Sequence, residues 1–274
     1  MQTPRKDEPR QRPAWPGYPG KGTYPPRAAP LVPERISRRR PSRDAADLPA
    51  PVEKLVGADR SDVNARIYYS CSVLSKGKRS VAVQRLILAS SSRYRRDLLA
   101  RLGIPFESAS PDIDESPLAG EAPAATALRL AHDKSIALAP RFPDALIVGS
   151  DQVAEVGSRA LGKPLTYENA VRQLQACAGR TVAFHTGLCL LDAPTGACQT
   201  AVAVNRVRFR NLATDEIERY LKREQPYDCT GSAKADAYGI VLIESFEGED
   251  PNALIGLPLI LLVHMLRRVG IVLP

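Results

Sequence analysis

The sequence predicts an α/β fold, in which short apolar strands alternate with amphipathic helices. Three observations carry that expectation. Residues 85–103, RLILASSSRYRRDLLARLG, read as a strand, a serine-rich turn and a helix. Residues 145–151, ALIVGSD, are a continuous apolar run of the kind a fully buried strand shows. Around these, apolar residues recur at helical spacing over Ala122 to Ala139, Thr166 to Ala178 and Leu259 to Arg268.

In the first unit Leu86, Ile87 and Leu88 form the strand, and Ser92 is the N-cap of a helix striped by Leu98, Leu99 and Leu102 and closed by Gly103. Arg95 then falls in the first turn, where a cation opposes the helix dipole. Beside the hydroxyls of Ser90 and Ser92 it is either an anion ligand or a solvated arginine next to an ordinary cap. Ile104 to Ala109 reads as a second strand, and Pro111 to Pro117 as an acidic turn whose Asp112, Asp114 and Glu115 are either solvated or metal carboxylates. In the helix Ala122 to Ala139, ended by Pro140, the neighbours of Lys134 one turn away are Leu130, Ala131, Ala137 and Leu138. That lysine therefore leaves the apolar stripe, and it must snorkel out or meet an anion in a cleft. The buried run delivers Ser150 and Asp151 at its carboxyl end, where open α/β sheets bind ligands.

Gly162-Lys163-Pro164 leads into the helix Thr166 to Ala178, capped by Thr166, and makes Lys163 a third isolated cation. Thr181 to Leu191 and Ala201 to Phe209 are β-rich runs joined by a hairpin over Asp192 to Gly196. Another helix runs from Thr214 to about Arg223. Cys229 to Gly239 is a small, polar loop containing Lys234 and Asp236, suited to close approach of backbone to a ligand. Asp250 to Pro258 is a second tight loop, and Leu259 to Arg268 the last buried helix.

Composition divides the chain of 274 residues at about residue 84. Residues 1–84 hold 17 Lys+Arg against 8 Asp+Glu, and residues 85–274 hold 21 against 22, so the excess of positive charge belongs to the first part. Twelve of the 24 prolines lie within the first 51 residues, and a disordered basic extension is expected over 1–84. Such an arm could bind nucleic acid by counterion release, but only Trp15, Tyr18 and Tyr24 interleave it, and no nucleic-acid partner is expected. A transit peptide is argued against by Asp7, Glu8, Glu34, Asp44 and Asp47. An over-extended start is the simpler alternative; Met1 and Met265 are the only methionines, with Val81 and Val83 just before the first strand. The five cysteines and three histidines are scattered, without a C-x-x-C pair. Reduced thiols in the cytoplasm are expected and a zinc site is not. The longest apolar run, about Ala253 to Leu266, is too short to cross a bilayer.

Cations at Arg95, Lys134 and Lys163, carboxylates at Glu115 and Asp151, and hydroxyls at Ser90 to Ser92 suit a polyphosphate. Positioned cations and a metal would neutralise charge while a carboxylate orients the attacking water. No Walker G-x-x-x-x-G-K-[ST] occurs, so the common ATPase signature is missing. The motifs LILASSSRYRRDLL (86–99), DESP (114–117), LIVGSDQV (146–153), GKPLT (162–166), Thr186-Gly187, GSAKADAYGI (231–240) and EGEDPNALIGLPL (247–259) occur in order. Over Arg85 to about Gly270 the chain strongly resembles the Maf family of nucleoside triphosphate pyrophosphatases. The resemblance implies a Maf/ITPase-like α/β fold with an elongated mixed sheet, flanking helices and a deep nucleotide cleft. It also implies hydrolysis between the α and β phosphates, with a divalent cation, Mg2+ or Mn2+, and a nucleoside triphosphate as substrate.

Carried over by position, Asp151 matches the family's catalytic carboxylate, as proton acceptor or metal ligand, and Glu115 its acidic partner. Ser90, Ser92, Arg95, Lys134 and Lys163 match the triphosphate-binding positions. GSDQV and EGEDPN resemble the branch acting on 7-methyl-GTP rather than that acting on dTTP and UTP. The specificity positions of that branch correspond to Tyr94, Gln152 and Asp236, where the expected pattern has Trp at the first and Glu at the third. Tyr94 and Asp236 keep the chemical types, an aromatic face and a carboxylate, that a cationic 7-methylguanine ring favours. The same reaction on dTTP or UTP is the alternative, and a non-catalytic nucleotide- or nucleic-acid-binding regulator is the alternative of another class. A homodimer is a further, open expectation.

Overall fold

The computed structural model describes residues 85–273 and the strand Tyr69–Ser70. The extension expected over 1–84 lies, apart from that strand, outside the described residues. In chain order the strands are β1 (Tyr69–Ser70), β2 (Leu86–Ala89), β3 (Glu107–Ala109), β4 (Leu146–Val156), β5 (Arg159–Leu161), β6 (Thr181–Asp192), β7 (Ala197–Phe209) and β8 (Ile243–Glu247). The helices are α1 (Arg93–Ala100), α2 (Pro123–Leu138), α3 (Tyr167–Cys177), α4 (Thr214–Glu224), α5 (Pro251–Ile255) and α6 (Leu259–Arg268).

The mixed sheet runs β1-β7-β6-β4-β2-β3, with β5 also on β4 and β8 also on β7. β2 is parallel to β3 and β4, and the long strands β4, β6 and β7 are antiparallel to one another. Side chains alternate across β4. Leu146 and Val148 pack with Leu98, Leu262 and Leu266 of α1 and α6, and further along the same face Ala154 and Val156 pack with Leu174 and Leu221 of α3 and α4. Ile147 faces the other way, into a cluster with Ala131 and Leu138 of α2. Helix α2 lies very close to the sheet because Gly149 and Gly187 have no side chain there. A methyl group at either would overlap the backbone carbonyl of Ala131 or Ala127.

Several expectations are corrected. β4 does not end at Asp151 but continues to Val156, because Asp151 to Val156 pair with Gly187 to Val182 of β6. Asp151 is thus a mid-strand residue. The strand expected from Ile104 shortens to Glu107–Ala109, consistent with Pro105 lacking a ladder donor. The tight loop from Asp250 contains α5, started by Pro251 and capped by Asp250 Oδ1 accepting from Asn252 N at 2.9 Å. The strands β5 and β8 were not foreseen.

One feature of the pairing locates the site. β2 pairs with β4 as far as Ala89 opposite Gly149, and β5 resumes the pairing at Leu161 opposite Ala154. Between them, among the described residues, positions 150–153 of β4 have β6 on one side and no strand on the other.

Candidate active site

Asp151 and Gln152 are consecutive at this gap and therefore point to opposite faces of β4. On the α2 face the buried Lys134 brings its Nζ to 2.6 Å from Asp151 Oδ1 and 2.9 Å from Glu115 Oε1. The lysine side chain is 5 % exposed, so it meets anions in a cleft instead of snorkelling to solvent. Glu115 is half-exposed. Burial works to raise its pKa, but the Lys134 hydrogen bond and the charges of Lys134, Lys163 and Arg95 outweigh this and hold it below the usual carboxylate range. Of the other acids in the turn, Asp114 accepts from Ser116 N at 2.9 Å and Asp112 is exposed, so Glu115 alone of the three pairs with Lys134.

Ser92 caps α1, its Oγ accepting from Arg95 N at 3.5 Å, and buried Ser90 Oγ accepts from Ser92 N at 3.1 Å and from Arg95 Nη1 at 3.4 Å. Arg95 Nε donates to Gly256 O at 2.8 Å, tying the α1 turn to the loop after α5. Burial lowers the Arg95 pKa against the opposing charges of Asp151 and Glu115. Ser150, also at the gap, hydrogen-bonds Gly187 O and Gly256 O at 2.8 and 3.0 Å, a structural role.

On the other side Arg95 borders a cavity of about 340 Å³ whose wall includes Tyr94, Gln152, Lys163 and Asp236. The Gln152 Nε2 donates to Ala253 O at 2.8 Å and Leu254 O at 3.1 Å, and lies 3.0 Å from Thr186 Oγ1. Carbonyl oxygens only accept, so the amide NH2 is fixed toward α5 and the Gln152 Oε1 is left to accept at the cavity. The Tyr94 hydroxyl accepts from Arg93 Nη2 at 2.8 Å and lies 3.5 Å from Asp228 Oδ1. Burial, opposed by Arg93, pushes the phenol up to about 12, so it stays neutral. The loop carrying Asp236 is braced from outside: Lys234 N donates to Tyr220 OH at 3.0 Å and Ser232 Oγ to Gln173 Oε1 at 2.6 Å.

All ten candidate positions therefore fall at the gap or on the cavity wall, Lys163 and Asp236 as exposed residues. Cys229 lies on that wall at the start of the small polar loop expected to approach a ligand, whereas sequence reasoning missed Arg93 and Asp228 there. Neither carried a signal, because a polar residue beside a turn is commonplace until the fold closes around it. The Cys229 thiol is pushed up to about 11 by burial and is not a reactive thiolate.

A family model described as Maf-like protein matches residues 85–269. The chain belongs to the Maf-like protein family. The Maf-like segment has relatives of high identity, each named 7-methyl-GTP pyrophosphatase. One from Methylobacillus flagellatus is 56% identical over 186 residues, 68% of this chain and 97% of the relative. Those from Cupriavidus metallidurans and Nitrosococcus oceani are 57% and 51% identical over 185 and 191 residues, 68% and 70% of this chain and 93% and 96% of the relatives.

As for a metal, no group of three or more His, Cys, Asp or Glu residues arranged to hold one occurs among the described residues. The Maf-like site instead offers two carboxylates, Asp151 and Glu115, converging on one cationic point at Lys134. Paired carboxylates completed by substrate phosphate are a usual donor set for Mg2+, so the residues fit that ion or Mn2+.

Proposed function

We propose that this Maf-like protein is a nucleoside triphosphate pyrophosphatase whose substrate is 7-methyl-GTP, yielding 7-methyl-GMP and pyrophosphate. The observation that carries the reading is the buried Lys134 clamped between Asp151 and Glu115, two carboxylates whose charges also act on Arg95, a residue on the wall of a cavity lined by Tyr94 and Gln152. The names of the relatives support the substrate.

The triphosphate crosses the gap in the sheet, with the base in the cavity and the phosphates toward Asp151. Arg95, Lys134 and Lys163 neutralise the phosphate oxygens, and Ser90 and Ser92 hold the turn that aims Arg95. Asp151 accepts a proton from the attacking water as the α–β anhydride bond breaks and pyrophosphate leaves. A divalent cation held by Asp151 and Glu115 would supply charge neutralisation at the phosphates. Tyr94 offers its face to the base, while Gln152 Oε1 and Asp236 accept from its N–H groups. No helix among the described residues is long and apolar enough to cross a membrane, and we place the reaction in the cytoplasm, where nucleoside triphosphates are made.

A second reading, the same chemistry on UTP or dTTP, is favoured by one observation. The Arg93 guanidinium already lies 4.8 Å over the Tyr94 ring, which weakens that ring's attraction for a cationic base. Pyrophosphate release from a panel of nucleoside triphosphates separates the readings. Faster turnover of UTP and dTTP than of 7-methyl-GTP sinks the first, and no release from any of them sinks both.

A further inference from the structure

One cation on the cavity wall has no part in the phosphate site. Lys234 lines the cavity, and its Nζ is 3.5 Å from Glu224 Oε2 and 5.9 Å from the centre of the Tyr94 ring. Its side chain is 21% exposed, and its backbone is locked, with N donating to Tyr220 OH and O accepting from Ala237 N and Gly239 N at 3.1 Å each. An ammonium group has three donors, and among the described residues Glu224 is the acceptor it reaches. Glu224 also balances its charge, so Lys234 presents N–H donors without a large net positive field, which even a cationic ring tolerates. A base lying against Tyr94 brings its edge to these donors. Two residues further along the same loop stands the carboxylate of Asp236, an acceptor.

We propose that Lys234 is a specificity-determining residue that donates to the carbonyl oxygen of the base, so that with Asp236 it reads a keto–imino edge. Guanine, hypoxanthine, uracil and thymine present a carbonyl acceptor beside an N–H donor; adenine and cytosine present the reverse. The pair thus selects oxo bases over amino bases whatever happens at the phosphates. This rests on the proposed pyrophosphatase reading only in taking the cavity as the base site.

The test measures equilibrium binding of GMP and AMP, with pyrophosphate release from 7-methyl-GTP, ITP and ATP alongside. The chains compared are the wild type, Lys234→Met, Lys234→Arg and Glu224→Gln. Lys234→Met is expected to weaken GMP binding, and to raise KM for 7-methyl-GTP and ITP, by roughly tenfold to a hundredfold while AMP and ATP hardly change. Lys234→Arg keeps a donor and should retain most of the preference. Glu224→Gln should lower thermal stability but leave the GMP-to-AMP ratio intact. The proposal is overturned if Lys234→Met weakens both nucleotides equally or neither, or if Glu224→Gln collapses the ratio as fully, since Lys234 would then merely brace the loop. Lys234→Leu, which also removes every donor, replaces the Met variant should that one fail to fold. A wild type that releases no pyrophosphate counts against the pyrophosphatase reading, while GMP against AMP binding still decides the role of Lys234.

Discussion

A lysine among Leu130, Ala131 and Leu138 has two outcomes, snorkelling or capture by anions, and Lys134 takes the second because Asp151 and Glu115 lie 2.6 and 2.9 Å from its Nζ. Its neighbours in sequence made it legible, since a charge on an apolar stripe needs a partner. Arg93 was not legible, because nothing near it in the sequence shows that its guanidinium will lie over the Tyr94 ring. The clamp also makes Asp151→Asn informative. Lys134 keeps Glu115 as its counter-ion and the new amide oxygen still accepts from Nζ, so the fold should survive with a melting temperature near that of the wild type. Turnover should fall by about 10²–10⁴, the usual weight of a general base, as read by pyrophosphate release. A variant that melts early would place Asp151 in the structural framework instead.

The element that delivers Lys134 is α2, and two contacts hold it. At its start Ala122 provides no side-chain cap, and Glu121 ties the helix to the loop before it instead: its carboxylate accepts from Arg129 Nε at 2.7 Å, Thr126 Oγ1 at 3.0 Å and Leu118 N at 3.1 Å. The Arg129 hydrogen bond first, and the others after it, bring the Glu121 pKa from 4.5 down to about 2. A depressed carboxylate pKa means stability that is complete above the ordinary value and lost as the pH falls through the folded one. The melting-temperature gap between wild type and Glu121→Gln should therefore be steady from neutral pH down to about 5 and close as the pH approaches 2. Along its length α2 rests on Gly149 and Gly187, and Gly187→Ala should push it off β6 by overlap with Ala127 O. Stability, read by thermal melting, and turnover are expected to fall together, the first by about 1–3 kcal/mol, as overpacking usually costs. Full activity in that variant would mean that Lys134 need not stay where α2 puts it. At this scale the caps Ser92 and Thr166 and the apolar runs were readable, being local. β5 and β8 were not, because such short strands exist only through their partners on β4 and β7.

For the molecule as a whole, the Maf-like part, residues 85–269, contains every candidate site residue, so deletion of residues 1–84 tests the enzyme against the regulator reading. Removing residues 1–84 takes away β1, an edge strand paired at Thr200 and Gln199 and separated from β4 by β7 and β6. Turnover of the shortened chain should equal that of the full one. Loss of activity on this deletion, with Asp151→Asn harmless, would instead assign the work to the basic arm. The strand and helix of the first unit, the isolation of Lys134, the ordered motifs and hence the family are legible along the chain, because they depend on neighbours within a turn or two of it. Only long-range packing puts Asp151 in mid-strand, leaves four residues of β4 between its pairing with β2 and with β5, and brings Gln152 and Lys234 into one cavity with Tyr94. The reason is physical: strand pairing and cavity closure join residues that are distant along the chain, and no local pattern encodes which of them will meet.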